Sequence, residues 1–243
     1  MKLHTRTVGA GSRTAALVHG ASMSGDAWEG FAPYLLEHDL TLILVDQRGH
    51  GDSPRADSYR IEEFAQDLVD TLPKGLDFLI GQSLGGLTCA WASAELQPKR
   101  YIGVDPALHM KPFQTWLIPT VGRFQKRLPT PVMRALGLGK GHPPGAIERV
   151  RKQWDKWDER TLRDIAASYH ERPFPAAPPA VPSTIVLAGP SFAVTPAFAA
   201  ELTAAGWDVR VMPGKGHDLH IEDPAGLAAI LADVLEPAGA SPR

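Results

Sequence analysis

The chain has 243 residues, of which 44% are hydrophobic and 21% are charged, and its formal net charge is −2. This length suits one α/β domain with an insertion, or two small domains, and the charge does not favour nucleic acid or an anionic membrane as a partner. Cys89 is the only cysteine, which excludes an internal disulfide. The N-terminal segment lacks the apolar core of a signal peptide, and no apolar run has membrane-spanning length, so we expect a cytoplasmic protein.

Short apolar segments alternate with longer amphipathic segments in the first hundred residues, which is typical of a parallel sheet covered by helices. The predicted strands are residues 3–8, 15–18, 40–45, 76–80 and 101–104. The predicted helices are residues 26–37, 61–72 and 84–96.

The alternation stops near residue 107 and resumes after residue 180. Between these points apolar residues recur at helical spacing, as at Ile147, Val150 and Trp154. Beyond a proline-rich exit, the pattern predicts strands at 184–187 and 209–212 and helices at 196–205 and 221–235. We therefore predict an α/β fold with a mostly parallel central sheet and helices on both faces. Residues 1–106 and 181–243 are expected to form this core, and residues 107–180 an inserted helical lid.

The segment from Gly81 to Gly85 reads G-x-S-x-G and lies between a predicted strand and a predicted helix. In that context the motif forms a sharp turn that presents the serine hydroxyl at the N-terminus of the helix. The turn has no room for side chains two residues before and two residues after the serine, which explains the two glycines. The helix N-terminus also stabilises developing negative charge. Ser83 is therefore the candidate nucleophile.

Three further motifs occur in a fixed order around Ser83. They are His-Gly-Ala at residues 19–21, D-x-R-G-x-G-x-S at residues 46–53 and Gly-Lys-Gly-His at residues 214–217. With these motifs the chain resembles the α/β-hydrolase superfamily over nearly its whole length. The resemblance implies an α/β-hydrolase fold with a catalytic serine, a catalytic histidine and an oxyanion hole.

A serine hydroxyl is a poor nucleophile until a base accepts its proton. His217 follows the last predicted strand, where the superfamily places its histidine, and it alone among nine histidines has this context. We predict His217 as the general base. His19 is expected to hold the oxyanion loop, and His50 to border the pocket without a catalytic role.

In this superfamily a carboxylate completes the catalytic triad by orienting the histidine. The position of this acid in the chain departs from the common family pattern. Many members carry it after the strand that precedes the last one, but residues 188–196 contain no carboxylate and Phe192 stands at the usual position. Asp105 lies at the carboxyl end of the preceding predicted strand, residues 101–104, in a G-x-D-P-A context similar to that of certain lipases. We predict that its carboxylate hydrogen-bonds the His217 ring. A Ser–His dyad without an acid is the alternative, and Asp218 and Glu201 are weaker candidates for the acid.

The resemblance also implies where the oxyanion hole and the pocket lie. The backbone N–H groups of Leu84, which follows the nucleophile, and of Ala21 would stabilise the oxyanion. Ser22 is a candidate for an additional hydroxyl contact. The candidate pocket residues from the lid and from the loop near the missing acid are Trp116, Trp154, Trp157 and Phe192. Most aromatic residues of such a lid pack it onto the core, but their number favours a partly apolar substrate.

The leading hypothesis is a serine hydrolase that cleaves a carboxylic ester, thioester or lactone of a small substrate through an acyl-enzyme on Ser83. We expect no cofactor and no metal, because the sequence has no metal-ligand cluster and no nucleotide-binding glycine loop. The alternative is a non-hydrolytic member of the superfamily, either a haloperoxidase-like or lyase-like enzyme or a small-molecule binding protein. Phe192 at the usual acid position supports the binding protein, whereas intact Ser83 and His217 argue against it.

Overall fold

The computed structural model describes residues 1–135, 139, 141–189 and 191–236. A seven-stranded sheet runs through these residues in the order β1-β3-β2-β4-β5-β6-β7. The strands are β1 (Thr5–Val8), β2 (Arg13–Val18), β3 (Leu40–Val45), β4 (Phe78–Gln82), β5 (Arg100–Val104), β6 (Ser183–Gly189) and β7 (Asp208–Pro213). Only the edge strand β1 pairs antiparallel; the other neighbours are parallel. The predicted mostly parallel sheet is confirmed.

Both faces of the sheet are buried, which explains why its inner strands are almost entirely apolar. In β2, Ala15 and Leu17 belong to one hydrophobic cluster, while Ala16 and Val18 belong to the other. Successive side chains of a strand point to opposite faces, so each strand contributes to two cores.

Ten α-helices are formed by the described residues. They are α1 (Ala32–Leu36), α2 (Ile61–Thr71), α3 (Leu84–Leu96), α4 (Pro112–Arg127), α5 (Thr130–Ala135), α6 (Ala146–Gln153), α7 (Arg160–Tyr169), α8 (Pro196–Ala204), α9 (Leu219–Glu222) and α10 (Pro224–Leu235). Leu35 of α1 and Leu231 of α10 pack in one cluster, whereas Phe64 of α2, Leu87 of α3 and Leu202 of α8 pack in the other. Helices therefore cover both faces of the sheet, as predicted.

Two of the predicted helices are each divided in two. Instead of one helix over residues 26–37, a 3₁₀ turn at Gly25–Trp28 precedes α1. Pro33 lies in the first turn of α1, where its missing N–H costs nothing, and a proline there marks the start of a new helix. Pro224 likewise begins α10 and separates it from α9, and the side chain of Asp223 caps α10 by accepting from the Gly226 N–H.

Helices α4 to α7 are inserted between β5 and β6. Trp154 and Trp157 are both buried, at the end of α6 and before α7. Residues 136–138 and 140 of the predicted lid, and residues 190 and 237–243 of the predicted core, lie outside the described residues, so the exact division of the chain stays a prediction. None of the described helices combines the length and hydropathy needed to span a bilayer.

Candidate active site

Ser83 lies in the turn between β4 and α3, with a strained backbone at φ 51° and ψ −114°. A Cβ atom on Gly81 would lie 2.3 Å from the Gly85 carbonyl oxygen, and one on Gly85 would lie 2.3 Å from the Val18 carbonyl oxygen. Neither position can carry a side chain without moving the backbone. The two glycines therefore permit the turn that leaves Ser83 partly exposed at the carboxyl edge of the sheet.

Asp105 and His217 meet at the same edge of the sheet. Asp105 Oδ2 lies 2.6 Å from His217 Nδ1, which is the hydrogen bond expected from the sequence. The other carboxylate oxygen, Oδ1, accepts a hydrogen bond of 3.0 Å from the Ala188 backbone N–H. The Asp105 side chain is fully buried, so it is fixed from both sides. With Nδ1 occupied, the Nε2 atom of His217 is the one left to accept a proton.

The pKa of His217 reflects two opposing effects. Burial lowers this pKa because a charged ring loses its hydration, but the hydrogen bond and the negative charge of Asp105 outweigh burial. The net result is a pKa raised above the ordinary 6.5. The His217 imidazolium that would form on proton transfer is thus stabilised.

Ser83 and His217 line one cavity, but the hydrogen bonds of the described residues do not include one between their side chains. Such contacts often tighten only when substrate binds. The Phe192 ring lies 4.4 Å from the His217 ring, centre to centre, and also lines the cavity. A phenyl ring therefore packs against the histidine at the position where the sequence resemblance implied the usual acid.

Two neutral histidines hold the loop that contains Ala21. His19 Nδ1 donates to the Gly20 carbonyl oxygen, and its Nε2 accepts from the Gln47 backbone N–H at 3.0 Å. His50 Nε2 accepts from the Ser22 backbone N–H at 3.2 Å. Burial lowers the pKa of His19 and lowers that of His50 to about 3, so both rings stay uncharged. Sequence reasoning assigned the loop to His19 but missed the contribution of His50.

The cavity has a volume of about 420 Å³ and is lined mainly by apolar side chains. Both predicted oxyanion residues, Ala21 and Leu84, lie in its wall. Of the predicted pocket residues, four line the cavity: Ser22, Trp154, Trp157 and Phe192.

Trp116 is the predicted pocket residue that the structure contradicts. Its side chain is 77% exposed and does not line the cavity, which α4 reaches through Phe113, Leu117 and Ile118 instead. Gln114 and Gly122 of α4 also line the cavity, and with successive residues rotated by about 100° the cavity-facing side of this helix is centred about 150° from Trp116.

The sequence analysis missed two polar residues near His217, Gln82 and His142, and considered Asp218 only as a weaker candidate for the acid. Gln82 and Asp218 line the cavity, and the Gln82 amide donates weakly to Asp218 Oδ1 at 3.4 Å. His142 belongs to the segment between α5 and α6, and its Nε2 atom lies 3.1 Å from Asp218 Oδ2. Adjacency to Ser83 and His217 was the available signal for Gln82 and Asp218, but no local pattern indicated that His142 lies close to them.

One group of possible metal ligands lies outside this cavity. Ligand atoms of His4, Asp46 and Asp52 fall within 4.8 Å of one another. Asp46 already accepts hydrogen bonds from the Gly25 and Asp52 backbone N–H groups, and Asp52 pairs with Lys156 at 2.6 Å. These contacts give the acids a structural role in holding the loop after β3.

Comparison with known protein families agrees with the geometry of Ser83, His217 and Asp105. A profile of the alpha/beta hydrolase family matches residues 16–230. The chain therefore belongs to the alpha/beta hydrolase family, which confirms the resemblance read from the sequence motifs.

Individual relatives match over shorter segments. An AB hydrolase superfamily protein of Gibberella zeae is 25% identical over 151 residues, which are 60% of this chain and 49% of the relative. Pimeloyl-(acyl-carrier protein) methyl ester esterase of Sodalis glossinidius is 36% identical over 87 residues, which are 36% of this chain and 33% of the relative. The chain thus matches less than half the length of these two curated relatives.

Solved structures match over almost the whole chain. An esterase from Exiguobacterium antarcticum superposes with a TM-score of 0.77 at 16% identity, covering 96% of this chain and 95% of the other. An enol-lactonase from Burkholderia xenovorans gives a TM-score of 0.75 at 22% identity, covering 96% of each chain. At these identities the likeness establishes the common fold.

Proposed function

We propose that this chain is a serine esterase that cleaves small, partly apolar carboxylic esters through an acyl-enzyme on Ser83. The observation that carries the proposal is the hydrogen bond from His217 Nδ1 to the buried Asp105 carboxylate, at 2.6 Å, beside the cavity that Ser83 lines. A histidine held in this way has one free nitrogen and a stabilised cation, which are the two properties a general base for serine needs.

The acylation step follows from these positions. Nε2 of His217 takes the Ser83 proton while the serine oxygen attacks the ester carbonyl carbon. Backbone N–H groups of Ala21 and Leu84 stabilise the resulting oxyanion. The bond to the alcohol oxygen then breaks, and His217 returns the proton to the departing alcohol.

Deacylation repeats the same chemistry with water. His217 accepts a proton from a water molecule, whose oxygen attacks the acyl carbon on Ser83. The bond between the acyl carbon and the Ser83 oxygen breaks, the carboxylic acid leaves, and the proton returns to Ser83. Thioesters and lactones would react by the same steps, because each has a carbonyl carbon bonded to a leaving group.

The apolar wall of the cavity and the relatives support an ester with an apolar part. Both the esterase of S. glossinidius and the esterase of E. antarcticum carry this activity in their names. A lactone substrate is supported in the same way by the enol-lactonase of B. xenovorans.

Kinetics on a panel of chromogenic esters of varied acyl length, together with a fluorophosphonate probe, test the proposal. The wild-type chain should hydrolyse esters and bind the probe covalently at Ser83. Ser83→Ala should lose about 10³-fold or more in kcat, lose labelling and keep its fold by circular dichroism. Near-wild-type turnover in the variant would contradict the assignment, and labelling without hydrolysis would favour the non-hydrolytic alternative.

A further inference from the structure

A second carboxylate, Asp218, lies in the wall of the catalytic cavity, one residue after His217. Its side chain is 21% exposed. Oδ2 lies 3.1 Å from His142 Nε2, and Oδ1 accepts a weak hydrogen bond of 3.4 Å from the Gln82 amide. A carboxylate offers about four acceptor positions, so these two contacts fix the group without saturating it. Part of its acceptor capacity remains open to the cavity.

Asp218 stays ionised under ordinary conditions. Burial raises its pKa, but the hydrogen bond from His142 and the nearby histidines outweigh burial and leave the pKa at about 2. Among the described residues that line the cavity there is no lysine or arginine. Asp105, buried behind His217, adds a second negative charge near the reacting atoms. The cavity is thus apolar over most of its wall and negative beside the base.

We propose that Asp218 is a specificity-determining residue that makes the cavity favour esters bearing a cationic group and disfavour esters bearing a carboxylate. This inference rests on the proposed esterase function and names its substrate class. An ammonium group on the substrate would meet the open side of the Asp218 carboxylate. A carboxylate there would lose its hydration next to a fixed like charge, which is costly in a partly buried site.

Two pairs of esters with nearly equal shapes test the charge preference. The first pair is acetylcholine, the acetate ester of choline, and its uncharged isostere, in which carbon replaces the quaternary nitrogen. The second pair is the dimethyl ester and the monomethyl ester of glutaric acid. We expect kcat/KM to be about tenfold higher for the choline ester than for its isostere, and about tenfold lower for the monomethyl ester than for the dimethyl ester.

Asp218→Asn keeps the size of the side chain and removes its charge. The ratio of kcat/KM values within each pair of esters should therefore move to within about twofold of unity. The matched control is Asp223→Asn, which removes a charge from the same loop outside the cavity. Asparagine caps helices as well as aspartate, so α10 keeps its cap and both ratios should stay at the wild-type values. Asp218→Ser provides a second uncharged variant should Asp218→Asn fail to fold.

Each ratio is measured within one enzyme, so a general loss of activity does not imitate the effect. Wild-type ratios near unity, or ratios that persist in the folded uncharged variants, overturn the Asp218 inference while leaving the esterase proposal in place. Failure of the wild-type chain to hydrolyse even the uncharged esters overturns the proposed function, and this inference with it.

Discussion

Ser83 and Asp105 both have positive backbone φ angles, of 51° and 40°. Non-glycine residues in this region cost about 1–3 kcal/mol each and persist only where the surroundings enforce them. For Asp105 the backbone N–H donates to the Val186 carbonyl oxygen at 2.8 Å, and the carboxylate accepts from the Ala188 N–H. Two contacts with β6 thus hold the strained residue and direct its carboxylate toward His217.

The raised pKa of His217 sets the expected dependence of activity on pH. A general base must be uncharged, so kcat/KM should fall as the pH drops through the pKa of His217. Because the Asp105 charge raises this pKa, the acid limb should have an apparent pKa above 6.5. A pH–rate profile of the wild-type chain on an uncharged ester measures it directly, and an acid limb well below 6.5 would contradict this account.

Asp105→Asn tests the same contact by mutation. The amide cannot stabilise the imidazolium, so kcat should fall by up to about 10⁴-fold. The residual activity should have its acid limb at lower pH, because burial then lowers the pKa of His217 against the charge of Asp218 alone. A variant that is folded and retains wild-type kcat would show that His217 works without this acid, as in a dyad.

At the scale of elements, α4 presents one face to the cavity and one to solvent. Phe113 lines the cavity, whereas Trp116, three residues further on, is exposed and does not line it. Periodicity places aromatic residues on a helix, but it does not say which side of an inserted helix faces the pocket. That is why the sequence predicted Trp116 and not Phe113 as a pocket residue.

Phe113→Ala and Trp116→Ala form a matched pair, because both side chains are exposed and both lie on α4. Loss of the Phe113 ring enlarges the cavity, so KM should change unequally across esters of different acyl length, by about tenfold for the most affected. Trp116→Ala should leave the pattern of KM values as in the wild-type chain. Equal responses of the two variants would refute a pocket role for Phe113.

The prediction of helix boundaries failed where the chain is interrupted by proline. The apolar periodicity of residues 26–37 and 221–235 continues across Pro33 and Pro224, although the backbone starts a new helix at each. Periodicity indicates which face of a helix is buried. The two parts of each predicted helix are buried on the same side, so the pattern does not show the break between them. Strand β4 also ends at Gln82, two residues later than predicted, because Gln82 still pairs with Val104 of β5 although the apolar run ends at Ile80.

At the scale of the whole molecule, the order of strands and helices was predictable because parallel strands buried on both faces are continuously apolar. The positions of Ser83 and His217 followed from local motifs. The Asp105–His217 contact joins residues 112 positions apart, and the sequence indicated it by the missing acid near Phe192 and by the place of Asp105 at the end of the preceding strand. Contacts made by the insertion, such as His142 with Asp218, depend on how α4 to α7 pack and left no local signal.

Buried neutral histidines should make the fold sensitive to acid. The pKa values of His19, His50 and His220 are lowered by burial, so the unfolded chain binds more protons below about pH 6.5 and stability is lost as the pH falls. His217 acts in the opposite sense, since a raised pKa favours the folded state below pH 6.5. Because the pKa values of about 3 for His50 and about 4 for His220 lie far below 6.5, denaturant unfolding should give a lower free energy of unfolding at pH 5 than at pH 7.5.

His220→Phe isolates one of these contributions. The ring of His220 is fully buried against Trp28 at 4.6 Å, and within the described residues neither of its nitrogens has a hydrogen-bond partner. Its pKa of about 4 corresponds to a loss of roughly 2 kcal/mol at pH 5 that phenylalanine would remove. The variant should therefore lose less stability than the wild-type chain between pH 7.5 and pH 5. An unchanged pH dependence would mean that His220 does not titrate on unfolding as proposed.

Trapping of the acyl-enzyme is the decisive test of whether Ser83 is the nucleophile. The wild-type chain is mixed with an activated chromogenic ester, quenched in acid within the first turnovers, and examined by intact-mass and peptide mass spectrometry. We expect one acyl group, located on the peptide that contains Ser83, and no adduct on the Ser83→Ala variant. Turnover with no adduct at Ser83, or an adduct on another residue together with unimpaired turnover by Ser83→Ala, would contradict it.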